Sequence, residues 1–100
     1  MPELIATLGD QPVARLTFPP RATRIIIGRA PESDLVLPSD DVSRTHAIIT
    51  REDEDLILSD PGSRNGIAIN GALLQSPRYL FDRDQLTIGP YTVTLSLASP

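Results

Sequence analysis

One hundred residues with 40% hydrophobic content make one ordinary domain with a single core. With 4% aromatic residues and no Trp, that core must be built from Ile, Leu and Val. Cysteine is absent, which excludes a disulfide framework or a thiolate metal site and suits a reducing, cytoplasmic compartment. All basic residues are Arg and the net charge is -4, which argues against general nucleic-acid binding because that needs a broad cationic surface. One small cationic pocket stays open.

Met1-Pro2-Glu3 carries no basic leader, and the longest apolar runs are a few residues, so neither a signal peptide nor membrane insertion is expected. Leu4 to Leu8 reads as a first strand, stopped by the turn chemistry of Gly9-Asp10-Gln11-Pro12. Val13 to Phe18 alternates with period two, setting Ala14, Leu16 and Phe18 on one face. After Pro19-Pro20 comes the β-branched run Arg24 to Ile27, suited to an interior strand and closed by Gly28-Arg29.

Leu35 to Leu37 is a short strand between two loops, and the second loop leads into Val42-Ser43-Arg44-Thr45-His46. Ala47 to Arg51 and Leu56 to Leu58 form a hairpin around the acidic turn Glu52-Asp53-Glu54-Asp55. Asp60 to Gly66 is a long turn signal. Ile67 to Ile69 and Ala72 to Leu74 are joined by Asn70-Gly71, a pair that favours tight hairpin turns. Residues 75–84 read as a loop that places Leu80 and Phe81 inward. Gln85 to Ile88 and Tyr91 to Leu97 are the last strands. About ten short strands separated by turns are the pattern of a β-sandwich or barrel, and no stripe of helical period is long enough for a helix. One domain over residues 1–100 is expected, with its core at about 4–97, and Ala98-Ser99-Pro100 reads as the start of a linker.

Arg29, Arg44 and Arg64 each sit at a strand–loop junction beside Gly, Ser or Asn, while the acids gather at the 52–55 turn. A hairpin's tip and the loops at its base lie at opposite ends of a sandwich, so these acids stand away from Ser43 and Ser63. Guanidinium forks match phosphate oxygens, Ser adds a short-range hydroxyl, and Asn offers a donor and an acceptor to a peptide backbone. One or two Arg with Ser and Asn make a cradle for a single phosphate.

Gly28-Arg29, Ser43-Arg44-Thr45-His46 and Ser63-Arg64-Asn65-Gly66, in that order on a β pattern, resemble the forkhead-associated (FHA) domain over roughly residues 4–97. The resemblance implies an all-β, two-sheet antiparallel sandwich with binding loops at one end, and a module that binds phosphothreonine peptides in kinase-dependent signalling. It implies that Arg29 and Ser43 contact the phosphate with Arg44 beside them. Asn65 would hold the peptide backbone with help from Arg64. It makes His46 a structural brace and Gly28 and Gly66 backbone-geometry positions. Asn70-Gly71 belongs to the structural motif. In one departure, Arg83 stands where the family often has Gly, in a turn that would require φ > 0.

The implied partner is a phosphothreonine-carrying substrate of a Ser/Thr kinase, in cis or in trans; nucleic acid, metal and cofactor are not expected. Ser43 and His46 with an Asp would make a hydrolytic triad only on paper, since no Gly-x-Ser-x-Gly elbow occurs, and no enzyme is expected. His46 as the only histidine, with no Cys, is a poor metal site. The acidic turn lacks the spaced ligands of a calcium loop. The alternative is a phosphate-independent interaction or assembly module on the same fold.

Overall fold

The computed structural model describes residues 1–97, which form eleven strands and, among these residues, no helix. In chain order they are β1 (Glu3–Leu8), β2 (Gln11–Thr17), β3 (Arg24–Gly28), β4 (Leu35–Val36), β5 (Ala47–Glu52) and β6 (Asp55–Ser59). Then follow β7 (Ala68–Ile69), β8 (Ala72–Leu73), β9 (Arg78–Leu80), β10 (Gln85–Ile88) and β11 (Tyr91–Ser96). Ala98-Ser99-Pro100, read above as a linker, lie outside the described residues.

The strands make two sheets, ordered β2-β1-β11-β10-β7-β8 and β4-β3-β5-β6-β9. Every pairing is antiparallel except the short parallel contact of β3 with β4. Alternation in the sequence sets the inward residues. Leu4 lies opposite Leu95 and Ala6 opposite Val93 in one sheet, while Ile49 lies between Ile25 and Leu58 in the other. All are buried, as are Leu86, Ile88 and Ile27. Each large aliphatic side chain removed from water contributes about 1.5–3 kcal/mol, so the sandwich is held mainly by branched aliphatics, with Phe18 and Tyr91 as its buried aromatics.

Two expectations are corrected. Residues 75–84 are not all loop, because Arg78–Leu80 pairs with β6, Leu80 opposite Leu56. Leu80 is buried, but Phe81 is 62% exposed and points away from the core. Within β9 exposed Tyr79 and buried Leu80 alternate, since adjacent residues of a strand face opposite sides, and Phe81, just past its end, stands outward. Gln11 and Pro12 belong to β2 rather than to the turn, which is reduced to Gly9-Asp10. Pro12 is tolerated because β2 is the sheet's outer strand, where a missing N–H need not break a ladder bond.

The sheet geometry fixes two ends. At the tip of the β5–β6 hairpin Glu52 pairs with Asp55, while at its base Ile48 pairs with Ser59. At about 3.3 Å per residue, base and tip are separated by roughly 13 Å. Near the tip end Arg51 stacks over the Phe18 ring, 4.4 Å from its centroid, and donates through Nη1 to the Pro20 carbonyl at 2.8 Å, closing the β2–β3 loop.

Candidate functional site

Three loops meet at the hairpin's base: Gly28-Arg29 at the end of β3, residues 37–46 before β5, and residues 60–67 after β6. Their meeting is specified mainly by backbone hydrogen bonds. The Arg29 N–H donates to the Ser43 carbonyl at 3.0 Å and the Ala30 N–H to the Arg44 carbonyl at 3.2 Å. The approach is so close that a Cβ at Gly28 would lie 2.1 Å from the Arg44 carbonyl oxygen. Only glycine fits there, because no side-chain atom survives that contact with backbone.

His46 joins the second and third loops and is fully buried. Its Nδ1 accepts the Ser43 N–H at 2.9 Å, and Nε2 lies 2.7 Å from the Gly66 carbonyl. A backbone N–H can only donate and a carbonyl can only accept, so the ring is the neutral tautomer with its proton on Nε2. Both nitrogens are spent, which makes His46 a brace with no lone pair left for a metal or for proton transfer.

The third loop is shaped by a side chain that sequence reasoning named only as the start of a turn. The Asp60 carboxylate accepts the Gly62 N–H at 2.9 Å, the Ser63 N–H at 2.6 Å and the Ser63 hydroxyl at 2.7 Å. Ser63 Oγ in turn accepts the Gly66 N–H at 3.1 Å, where Gly66 has a φ of 75°. Partial burial pushes the Asp60 carboxyl up, but the bonds from Ser63 and Gly62 outweigh it and hold it below its ordinary value of 3.8. The signal was present as Asp-Pro-Gly-Ser, where a short acceptor side chain bonds the N–H groups just after it. Ser33 was also missed: largely buried, it donates to the Arg44 carbonyl at 3.4 Å and steadies the second loop from below.

The residues named from the sequence come together on this framework. Ser43 Oγ accepts the Arg64 N–H at 3.0 Å, so its own O–H remains for an outside acceptor. Arg29 is half-buried and spends Nε on the Val42 carbonyl at 3.0 Å; that bond does not involve its two terminal nitrogens. Arg44 is exposed and lies 3.4 Å from the exposed Glu32 carboxylate, a weak surface pair that a more highly charged anion can displace. Exposed Asn65 donates through Nδ2 to the Asp41 carbonyl at 2.8 Å, which leaves Oδ1 as an acceptor. Beside it an open groove of about 490 Å³ runs past Asp41, Ile67, Leu73, Thr87 and Pro90. Asn70 and Gly71 are not part of this cluster. They form the β7–β8 turn at the other end of β7, with φ of 50° and 87°, the left-handed pair that such a hairpin turn requires.

No group of three or more His, Cys, Asp or Glu side chains is placed to hold a metal ion among the described residues. Nor is any helix among them long and apolar enough to cross a membrane.

A two-sheet sandwich with its glycine, serine–histidine and asparagine loops drawn together at one end defines a recognisable class. The FHA domain family model matches residues 25–89, and the chain belongs to that family, whose members are interaction modules. The transcriptional regulatory protein EmbR of Mycobacterium tuberculosis is 31% identical over 98 residues, covering 91% of this chain and 25% of EmbR. The chain thus spans about a quarter of that relative. The EmbR structure in complex with a low-affinity phosphopeptide superposes with a TM-score of 0.83 at 26% identity, over 99% of this chain and 25% of that one. A domain solved in a study of phosphothreonine-dependent FHA interactions gives a TM-score of 0.82 at 27% identity, over 99% of this chain and 97% of that one.

Proposed function

We propose that the chain is a phosphothreonine-binding module, one domain with its core at about residues 4–97, that reads the product of a Ser/Thr kinase. The observation that carries this reading is the joining of three loops around Ser43, whose carbonyl takes Arg29 N–H and whose Oγ takes Arg64 N–H. That arrangement gathers Arg29, Ser43, Arg44 and Arg64 while leaving the Ser43 O–H for a ligand. A phosphothreonine carries about −1.5 to −2 charges at neutral pH and three acceptor oxygens. Arg29 and the Ser43 hydroxyl bind it, Arg44 exchanges Glu32 for it, and Asn65 takes a peptide N–H on Oδ1. The partner's backbone lies along the groove beside Asn65.

No turnover is expected, because the one histidine has both nitrogens occupied by backbone. The module recruits, or folds onto, a phosphorylated protein in the cytoplasm, where ATP-dependent kinases act. The relatives support the reading: the EmbR structure holds a phosphopeptide, and a second similar domain was solved for its phosphothreonine-dependent interactions. The test is a titration with fluorescent peptide pools that differ only in phosphothreonine, phosphoserine or threonine at the centre. Saturable binding of the phosphothreonine pool alone is expected. Equal binding of the unphosphorylated pool, or none by any pool to the folded domain, overturns the reading.

A further inference from the structure

At the end of the molecule away from these loops, the surface has an opposite character. Two of the chain's four aromatic residues stand in solvent there, Tyr79 at 53% exposure and Phe81 at 62%. With Leu56, Leu80 and Leu97 they line a cavity of about 320 Å³, the lower end of the range of small-molecule and side-chain pockets. Leu56 and Leu80 are buried and form its floor. Glu54 and Asp55 are the charged lining residues. Glu52 lies opposite Asp55 in the strand register, and Asp53 completes the tip with a φ of 55°. No Arg is among the lining residues: Arg51, opposite Leu56, is held over the Phe18 ring and to the Pro20 carbonyl, Arg78 pairs opposite Leu58, further from the tip, and exposed Arg83 lies 4.0 Å from Asp82.

We propose that this cavity is a second docking site, independent of phosphate, that takes a large apolar side chain flanked by Arg or Lys in an extended segment of a partner protein. Solvent-exposed aromatics beside an apolar floor are the composition of an interface core, in which rigid rings give contact area at low entropy cost. The carboxylates give the rim its sign, so the complementary segment is basic. A second copy of this chain fits poorly. A twofold contact sets a patch on itself, and the carboxylates of both tips would be brought together. An anionic lipid surface is opposed by the same charges. Because Glu52 at this tip and Ile48 at the hairpin's base lie at opposite ends of β5, a phosphorylated partner and a basic one fit at once.

The experiment uses the isotope-labelled chain and follows its amide resonances against three unphosphorylated peptide pools. One has Leu, Phe or Trp at the centre flanked by Arg; the second replaces Arg by Glu; the third replaces the central residue by Gly. The Arg-flanked apolar pool is expected to shift Leu56, Leu80, Phe81 and Leu97 saturably and to leave Arg29, Ser43 and Asn65 unmoved. Tyr79→Ser with Phe81→Ser, both at the surface, lowers that affinity at least tenfold while phosphothreonine-pool binding stays within twofold. Glu54→Lys with Asp55→Lys weakens it and reverses its salt dependence. The proposal fails if the Arg-flanked apolar pool shifts nothing, or if the Glu-flanked or Gly-centred pool shifts the same amides as strongly. It fails also if sedimentation shows that a second copy occupies the surface.

Discussion

Asn65-Gly66 and Asn70-Gly71 are the same dipeptide on either side of the two-residue strand β7. Asn70 is held at three points by its neighbours. Its Nδ2 donates to Asp84 Oδ1 at 2.9 Å, its Oδ1 accepts the Gln85 N–H at 3.0 Å, and its own N–H goes to the Gln85 carbonyl at 2.9 Å. Buried Asp84 continues the network by taking the Phe81 N–H on Oδ2 at 2.7 Å. The Asn65 side chain by contrast is tied, among the described residues, through Nδ2 to Asp41, and faces the groove. Identical chemistry becomes structural where both polar side-chain atoms have internal partners and available for a ligand where one does not. The same distinction separates His46, Ser63 and Asp60, which are occupied, from the Ser43 hydroxyl and the Arg64 guanidinium.

The strongest way to break that distinction is at Arg29. Removing one partner of a desolvated charge pair costs about 2–5 kcal/mol. Arg29→Ala should therefore all but abolish phosphothreonine-peptide binding in an isothermal titration, while the thermal midpoint moves little. Parental affinity in this variant would dismiss the cationic loop end as the phosphate site.

Next in size is the contrast between the two asparagines. Asn70→Ala removes the partner of one oxygen of the buried Asp84 carboxylate, at about 1–3 kcal/mol, whereas water can replace it at the exposed Gln85 N–H. It should lower the melting temperature and leave peptide affinity intact. Asn65→Ala should do the reverse. Matching losses of stability in both variants would mean that the two turns serve one structural purpose.

A smaller effect is expected from acid. The Asp60 carboxyl titrates below its unfolded value of 3.8, so its contribution to stability is present above about pH 4 and is lost as pH falls through the folded value. Asp60→Asn should remove that part of the acid dependence. It also turns an amide donor toward either the Ser63 hydroxyl or the loop N–H groups, so at neutral pH it should cost on the order of 1 kcal/mol. An acid limb unchanged in Asp60→Asn would show that other carboxylates govern it.

Much of this was legible because period-two patterns carry their own meaning. Tyr91, Val93 and Leu95 are buried as their alternation requires, and Ile25 and Ile27 sit where a β-branched run predicts. The loops declared themselves through residue types with few alternative uses in that order, above all Ser43 with His46. Strand β9 was hidden because three residues flanked by Ser76-Pro77 and Asp82 show no period. Phe81 was misplaced inward because apolar character predicts burial in one direction only; folded surfaces keep much apolar area. The bonds of Ser33 and Arg29 with the Arg44 and Val42 carbonyls span more than ten residues between loops that the pairing of β3 with β5 brings together, which no local pattern specifies.

The remaining prediction tests a residue that the sequence did flag. Arg83 stands where a turn requires left-handed backbone, and its φ is 69°. The turn holds because the Arg83 N–H donates to the Leu95 carbonyl at 2.8 Å and Asp82 Oδ1 takes the Leu97 N–H at 2.8 Å, so the backbone keeps its path despite the side chain. For an L-residue that conformation costs about 1–2 kcal/mol, and glycine returns about 0.5–1 kcal/mol of this as entropy lost on folding. The Arg83 side chain is 91% exposed, and its contact with Asp82 at 4.0 Å offsets little. Arg83→Gly should therefore gain about 0.5–1 kcal/mol, a rise of roughly 2–8 °C for a domain of this size, with phosphopeptide affinity unchanged. Arg83→Ala keeps the backbone strain and should gain nothing. If alanine stabilised as much as glycine, the cost would lie in the arginine side chain and not in the turn.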